Sequence, residues 1–207
     1  MLWIITGILA SYLIGSIPSA YIMGRVLKGV DIRKFGSGNV GATNALRVLG
    51  KPAGITVLIL DILKGFIVVL FLGNMILHRS AGISSVNLRV MLGVCCICGH
   101  NWTIFLKFKG GKGMATTLGV LLGLAVKILA LRSIFAFVIL TWLIVFLATR
   151  IVSLASIISA VSLCVYMFAF KAPRTLMVTS ILLCSFIILR HKSNLIRLFQ
   201  GKEPRLK

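Results

Sequence analysis

Long apolar segments separated by short basic connections constrain the fold of this chain more than any other feature. They lie at about residues 2–24, 53–77, 88–106, 114–130, 132–149, 152–170 and 176–190. A transmembrane helix needs about 20 mostly apolar residues, and its backbone must form its hydrogen bonds internally. Only 13% of the residues are charged, against about 25% in soluble domains. We predict an all-α integral membrane protein with about seven transmembrane helices, built as a single membrane domain over residues 1–207.

The first apolar segment indicates how the chain enters the membrane. It contains no Lys or Arg before Arg25, whereas a secretory signal peptide begins with a basic region and has a shorter apolar core. Ser19 and Ala20 resemble a cleavage site. Arg25 and Lys28, which follow directly, favour instead a retained helix whose N-terminus lies outside.

The distribution of basic residues is consistent with this direction, because cytoplasmic connections are enriched in Lys and Arg. With the N-terminus outside, sixteen of the 23 basic residues fall on the cytoplasmic side: Arg25, Lys28, Arg33, Lys34, Arg47, Lys51, Lys107, Lys109, Lys112, Arg150, Arg190, Lys192, Arg197, Lys202, Arg205 and Lys207. Six fall outside: Arg79, Arg89, Lys127, Arg132, Lys171 and Arg174. We therefore predict a cytoplasmic C-terminus. The short, glycine-rich fourth segment can alternatively form a hairpin with the fifth that does not fully cross, which leaves these sides unchanged.

The net charge of +20 reflects a shortage of acidic residues, since only Asp31, Asp61 and Glu203 are present. The basic residues lie between apolar segments, where they face anionic headgroups or an anionic substrate. We therefore expect contact with the bilayer and no nucleic-acid partner. Asp61 and Lys64 are the only charges that we place well inside a span.

The cysteines all fall inside apolar segments. Cys95 and Cys98 form a C-x-x-C pair near His100, but a zinc or redox site would need a second ligand pair. We interpret the cysteines as reduced packing residues and expect neither a metal nor a cofactor.

The first unusual connection, residues 36–47, reads Gly-Ser-Gly-Asn-Val-Gly-Ala-Thr-Asn-Ala-Leu-Arg. Its small residues expose backbone N–H groups and let the chain approach a ligand closely. A helix starting near Thr43 brings Asn44 and Arg47 to the same region, and arginine suits bidentate binding of phosphate. The connection is either an ordinary polar link or a phosphate-binding segment contributed by Ser37, Gly38, Asn39, Thr43, Asn44 and Arg47.

The second connection places Lys109, Gly110, Gly111, Lys112 and Gly113 immediately before an apolar helix. Free N–H groups and the positive end of the helix dipole would attract an anion there. It is not a nucleotide-binding P-loop, because the lysine is followed by glycine and methionine instead of Ser or Thr. A basic loop facing lipid headgroups is the alternative.

His100 precedes this connection and is either a general base or a hydrogen-bonded residue at the membrane boundary. Phe105 stands where the aspartate of a His-x4-Asp acyltransferase motif would be. The charge-paired histidine mechanism of that other acyltransferase class is therefore excluded.

The third cluster combines Ser153 and Ser156 at the start of the sixth span with His191 and Asn194, which share a helix face at the end of the seventh. Serines in membrane helices also mediate helix packing, so the two readings of Ser153 and Ser156 stay open. We expect Glu203 to pair with an arginine and hold structure.

These segments together resemble the PlsY family of bacterial acyl-phosphate:glycerol-3-phosphate acyltransferases. The resemblance rests on Ser-Gly-Asn-x-Gly-Ala-Thr-Asn-x-x-Arg at residues 37–47, on Phe-Lys-Gly-Gly-Lys-Gly at 108–113, and on His-x2-Asn-x2-Arg-Leu-x2-Gly-x-Glu at 191–203. It also covers Gly-Ser-Ile-Pro at 15–18, and therefore extends over essentially the whole chain.

The resemblance implies that an acyl group passes from acyl phosphate to the 1-hydroxyl of glycerol 3-phosphate, at the cytoplasmic face of the bacterial plasma membrane. It assigns Arg47, Lys112, His191 and Asn194 to the substrate phosphates. Ser37, Asn39 and Asn44 would shape the pocket, and Ser153 or Ser156 would complete it. Both substrates would bind in one pocket, with no obligate protein partner. A membrane transporter for an organic phosphate is the alternative, although carriers usually place polar groups near the midplane.

Overall fold

The regular structure of this chain is helical throughout the part that the structure, a computed structural model, describes, which is residues 1–80 and 82–206. The α-helices are α1 (Leu2–Ser16), α2 (Ser19–Lys28), α3 (Ala42–Leu49), α4 (Lys51–Ile67), α5 (Gly73–Leu77), α6 (Ser85–Asn101), α7 (Met114–Lys127), α8 (Ala130–Thr149), α9 (Val152–Ala169), α10 (Arg174–Arg190) and α11 (Lys192–Phe199). Since the described residues contain no strand, the predicted all-α class is confirmed.

Several helical segments are long and apolar enough to cross a membrane. Five such segments occur in the described residues: Leu2–Lys28, Lys51–Leu77, Ser85–Leu106, Ala130–Thr149 and Val152–Ala169. The helices α10 and α11 qualify only together, and they are bent by 63°. Helix α7 has 14 residues, fewer than a span needs. Length and composition thus give five or six candidate spans, and the count of seven and the orientation stay predictions.

The first span is broken, although the sequence pattern suggests one continuous helix over residues 2–24. Helix α1 ends at Ser16 and α2 begins at Ser19, because Pro18 lacks an N–H and disfavours a helical residue before it. The Thr103 hydroxyl donates to the Ser16 carbonyl at 2.5 Å. The Ser16 hydroxyl in turn donates to the Gly99 carbonyl at 3.3 Å. These bonds tie the break to the end of α6.

Contacts between Cα atoms divide the chain into two units, Met1–Lys127 and Ile128–Lys207. In the first unit, α1 packs against α6 and α4 packs against α7. The α4–α7 pair approaches closely through glycines. A Cβ atom added to Gly65 would lie 2.4 Å from the Thr116 carbonyl oxygen, and one added to Gly119 would lie 1.9 Å from that of Ile62. Small residues allow this backbone contact between membrane helices.

A π-helical turn at Val68–Leu72 separates α4 from α5. The buried Arg89 of α6 binds this turn, donating to the Val69 carbonyl and, at 2.5 Å, to the Asn74 side-chain oxygen. The guanidinium thereby satisfies backbone oxygens that the irregular turn leaves available. Arg89, which lies near the start of the Ser85–Leu106 segment, is thus a third charged residue buried within an apolar helical segment, beside Asp61 and Lys64.

The second unit contains α8, α9 and α10, with α9 packed against both of the others. The Thr141 and Tyr166 hydroxyls are 2.9 Å apart and join α8 to α9. The C-terminal tail returns to the turn between these two helices, where the Leu206 amide donates to the Arg150 carbonyl at 2.7 Å. The tail thereby brings Glu203 to the start of α9.

Candidate functional site

The first glycine-bearing connection is organised by one buried carboxamide, that of Asn44. Its oxygen accepts from the Ser37 amide at 2.9 Å. Its nitrogen donates to the Asn39 carbonyl of the same connection and to the Ile32 and Phe35 carbonyls just before it, at 3.0–3.2 Å. Asn44 therefore holds the loop closed through its side chain, and its fully engaged amide favours the role of shaping the pocket over direct contact with substrate.

The helix expected at the end of this connection is confirmed, since α3 begins at Ala42, next to Thr43. Gly36 and Gly38 have positive φ of 59° and 70°, a conformation that favours glycine. Arg47 lies on α3 with an exposed side chain, and Ser37 is also exposed. Both side chains can therefore meet a ligand at the surface of the first unit.

Just before this connection, an ion pair fixes the chain after α2. Asp31 accepts from the Arg33 guanidinium at 2.7 Å and also from the Arg33 amide at 3.1 Å. The hydrogen bonds from Arg33 lower the pKa of the Asp31 carboxyl to about 2. The carboxylate is thus ionised at neutral pH, and its negative charge offsets the positive charge of Arg33.

The second connection lies on the C-terminal end of α6. The Gly111 amide donates to the His100 carbonyl at 3.0 Å, and the Gly110 amide donates to the Asn101 carbonyl at 3.2 Å. Helix α7 begins right after the connection, at Met114, which confirms the predicted order of glycine-lysine loop and helix. Lys112 is half-buried and Lys109 is exposed.

A buried cluster of polar groups lies beside this connection, and sequence reasoning did not assign it to the site. The Lys64 ammonium is 2.9 Å from Asp61 Oδ1 and 2.8 Å from His100 Nδ1, and it donates to the Ile17 carbonyl at 3.2 Å. Ser19 donates to Asp61 at 3.0 Å. His100 is therefore hydrogen-bonded, as one of its two interpretations expects, and the choice between this role and that of a general base stays a prediction. In the sequence, only the presence of Asp61 and Lys64 inside an apolar helix pointed to this cluster, because charges are costly there.

The third cluster, in the second unit, is centred on the Glu203 carboxylate. Ser153 and Asn194 donate to Oε1 at 2.7 and 2.5 Å, and Arg197 donates to Oε2 at 2.7 Å. Burial raises the pKa of Glu203, but these three hydrogen bonds and the Arg197 charge outweigh it, so the pKa lies below its ordinary value. The predicted pairing of Glu203 with an arginine is confirmed.

His191 lies at the bend between α10 and α11. Its Nδ1 donates to the Ile187 carbonyl at 2.8 Å, since a carbonyl can only accept. The expectation that His191 and Asn194 share a face at the end of one helix needs correction, because α10 ends at Arg190 and Asn194 lies in α11. The backbone N–H of Asn194 nevertheless donates to the His191 carbonyl at 2.9 Å, so the two residues stay adjacent.

The two candidate serines have different surroundings. Ser153 belongs to the Glu203 cluster, whereas the Ser156 hydroxyl accepts from the Trp142 indole at 3.4 Å. Only Ser153 is therefore grouped with Asn194. The candidate residues of the first two connections lie in the first unit and those of the third cluster in the second, and their meeting in one pocket stays a prediction.

The apolar helices define an integral membrane protein. Its connections carry cations, glycines and hydrogen-bonded amides. Residues 5–201 match the family described as glycerol-3-phosphate acyltransferase. The chain therefore belongs to the glycerol-3-phosphate acyltransferase family.

Individual relatives agree with this assignment. A glycerol-3-phosphate acyltransferase of Staphylococcus carnosus (strain TM300) is 44% identical over 99% of this chain and 98% of its own length. One from Staphylococcus aureus (strain bovine RF122 / ET3-1) is 43% identical with the same coverage.

Two crystal structures of PlsY (YgiH), an integral membrane glycerol 3-phosphate acyltransferase, are similar to this chain at 37% identity over 99% of its length. The glycerol 3-phosphate form has a TM-score of 0.87 and is covered over 96% of its length. The lysophosphatidic acid form has a TM-score of 0.83 and is covered over 95%. The chain is thus a multi-pass membrane protein and an acyltransferase enzyme.

Proposed function

We propose that this glycerol-3-phosphate acyltransferase takes its acyl group from acyl phosphate and esterifies the 1-hydroxyl of glycerol 3-phosphate, releasing lysophosphatidic acid and inorganic phosphate. The observation that carries the proposal is the similarity over 99% of the chain to PlsY in its glycerol 3-phosphate and lysophosphatidic acid forms. These two ligands differ by one acyl group, as the acceptor and product of this reaction must. An organic-phosphate transporter is not favoured by the family to which the chain belongs.

The reaction needs no covalent enzyme intermediate, because acyl phosphate is a mixed anhydride and already activated. The hydroxyl oxygen of glycerol 3-phosphate attacks the carbonyl carbon, a new ester C–O bond forms, and the bond to the phosphate oxygen breaks. The hydroxyl proton passes to the departing phosphate. The protein then contributes orientation of two bound substrates and stabilisation of negative charge.

We assign the phosphate groups of the substrates to Arg47, Lys112, His191 and Asn194. Arg47 offers a planar, always charged fork of donors, and Lys112 offers a compact charge next to the start of α7. In the second unit, the His191 imidazole donates through Nδ1 to the Ile187 carbonyl. An imidazole can act as a proton acceptor or as a hydrogen-bond donor to a phosphate. His191 is therefore the competitor to substrate phosphate as proton acceptor.

The residues around these groups shape the binding surfaces. Ser37, Gly38, Asn39, Thr43 and Asn44 form the first connection, where the Asn44 amide fixes the backbone. Lys109, Gly110, Gly111 and Gly113 belong to the second, where backbone hydrogen bonds to α6 fix Gly110 and Gly111. Of the two serines, we assign Ser153 to the site, because it shares the Glu203 carboxylate with Asn194.

We place this reaction at the cytoplasmic face of the bacterial plasma membrane, with the N-terminus outside and the chain acting as one membrane domain. The support is the excess of basic residues in the connections that carry the candidate residues. A cytoplasmic face also gives access to glycerol 3-phosphate, which is too polar to cross a bilayer unaided.

The deciding experiment mixes purified protein with acyl phosphate and glycerol 3-phosphate and measures both released phosphate and lysophosphatidic acid. Equal amounts of the two products support the proposal. Acyl-CoA and acyl-carrier protein serve as competing donors in parallel reactions. Faster product formation from either of these than from acyl phosphate would overturn the choice of donor.

A further inference from the structure

The buried cluster of Asp61, Lys64 and His100 lies inside the first unit, and none of its side chains is assigned to substrate. Their exposed fractions are 2%, 6% and 7%. Ionisable groups in membrane segments are costly and are retained where they serve a function. We therefore expect the cluster to have a role beyond packing.

Hydrogen bonding determines the state of the His100 ring. A lysine ammonium donates three hydrogen bonds and accepts none, and the three acceptors around Lys64 Nζ are Asp61 Oδ1, His100 Nδ1 and the Ile17 carbonyl oxygen. His100 Nδ1 must therefore accept. The imidazole is neutral, and its proton is on Nε2.

The Nε2 edge of this ring lies against the second connection. A Cβ atom added to Gly111 would be 2.1 Å from His100 Nε2 and 2.8 Å from the Val40 carbonyl oxygen. Gly111 is thus held between the imidazole and the first connection, to which Val40 belongs. The Gly111 amide also donates to the His100 carbonyl at 3.0 Å, so His100 contacts this glycine through both its ring and its backbone.

We infer that Asp61, Lys64 and His100 are positioning residues that fix the backbone of residues 110–113, and with it Lys112, against the first connection. Asp61 neutralises Lys64, and Lys64 holds the imidazole in the orientation and tautomer that support Gly111. Ser19 and the Ile17 carbonyl anchor the same cluster to the break in the first span. The consequence for substrate binding rests on the proposed function, in which Lys112 binds a substrate phosphate.

The test uses a variant that removes both charges together, Asp61→Asn with Lys64→Met, because a single substitution would leave one buried charge unpaired. The matched control is Arg89→Met, which removes another buried cation of the first unit at the π-helical turn. Hydrogen exchange, measured by mass spectrometry in detergent without substrate, reports directly on the Gly110 and Gly111 amides.

We expect the paired variant to speed exchange of these two amides by about tenfold, since local opening exposes them. The KM for glycerol 3-phosphate should rise by about tenfold or more, because a misplaced binding group costs up to about a hundredfold. Arg89→Met should change neither quantity, even where it lowers the melting temperature. Unchanged exchange at the two glycines would overturn the inference, whatever happens to KM.

A second pair of variants separates the ring edge from the hydrogen bond to Lys64. An asparagine at position 100 can accept from Lys64 through its amide oxygen but does not extend to Gly111, whereas a glutamine places its amide near the position of Nε2. We expect H100N to lose the protection of the Gly111 amide and H100Q to retain more of it. Equal, wild-type exchange in both would exclude the ring as the support. A wild-type enzyme that fails to bind glycerol 3-phosphate would refute the proposed function alone, because exchange is measured without substrate.

Discussion

At the scale of single residues, the Glu203 carboxylate decides how the third cluster is arranged. Its two oxygens accept hydrogen bonds from Ser153, Asn194 and Arg197. Glu203 therefore fixes the positions of all three side chains, two of which are neutral donors. Asn194 is thereby held at a fixed position next to His191, and in the proposed function this preorganisation lowers the cost of binding.

The lowered pKa of Glu203 makes a prediction about pH. Because folding favours the ionised form, this stabilisation is complete above the ordinary carboxyl pKa and is lost as pH falls through the lower pKa of the folded state. Melting temperatures of the wild type and Glu203→Gln, measured from neutral to acidic pH, should differ most near neutrality and converge in acid. A constant difference at every pH would contradict this assignment.

The serine pair gives a second prediction at this scale. Ser153→Ala should lower kcat/KM by about tenfold, because it removes a hydrogen bond to a charged group that is worth about 1.5–3 kcal/mol. Ser156→Ala is the matched control and should stay near wild type, since its hydroxyl only accepts from Trp142 at 3.4 Å. Steady-state kinetics with glycerol 3-phosphate as the varied substrate distinguish them, and the reverse order of effects would move the assignment to Ser156.

His191 provides the mechanistic test. If the acyl-phosphate oxygen accepts the proton, His191→Gln keeps near-normal turnover at saturating substrate, since glutamine can still donate to phosphate. If the imidazole is the general base, turnover falls by about a hundredfold or more with binding intact. Separate determination of kcat and KM decides between the two, and we expect the first result.

At the scale of elements, glycines set the closest helix contacts of the first unit. The α4–α7 pair depends on Gly65 and Gly119, whose missing side chains let backbone meet backbone. This contact matters for the site because α7 begins directly after the glycine-lysine connection. Any displacement of α7 would move the backbone that carries Lys112.

We therefore predict that Gly119→Ala lowers the melting temperature by roughly 5 °C, because overpacking costs about 1–3 kcal/mol. Gly7→Ala in α1 is the control. The nearest atoms to a Cβ atom there would be side-chain carbons of Ile76 and Leu92, at 3.0 and 3.2 Å, and not backbone atoms. Thermal unfolding in the same detergent compares the two, and equal losses would show that backbone contact is not the cause.

At the scale of the whole molecule, the apolar helices leave many large side chains exposed, as a lipid solvent requires. Leu140, Ile144 and Leu147 of α8 are 50%, 58% and 62% exposed. In water such a surface would be a liability for aggregation, whereas in a bilayer it is the lipid contact. The basic connections then determine which side of the membrane each helix end faces.

Reporter fusions test that topology. Fusions after residue 109 and at the C-terminus should give a fluorescent green fluorescent protein, which folds in the cytoplasm. Fusions after residues 80 and 172 should give active alkaline phosphatase, which folds outside. A phosphatase fusion after residue 129 reports whether α7 and its flanking residues complete a crossing. Active phosphatase after residue 109 would overturn the predicted orientation.

The sequence by itself determined the membrane class, the helical structure, the family and the segments that contain the candidate site residues. These features depend on residues close together along the chain: apolar runs, the charge of each connection, and glycine motifs that precede a helix. The start of α3 at Ala42 and of α7 at Met114 follows from local patterns of this kind. The break at Pro18 is local as well, although the apolar pattern alone predicts a continuous helix there.

Only the tertiary structure decided which distant polar groups meet. Lys64 and His100 are 36 residues apart, and Ser153 and Glu203 are 50 apart. Their contacts depend on the rotation and crossing of helices that are apolar on nearly every face, so hydropathy carries little information about which face is buried. Glycines and polar side chains determine which face is buried, and their contacts form only between helices that already touch.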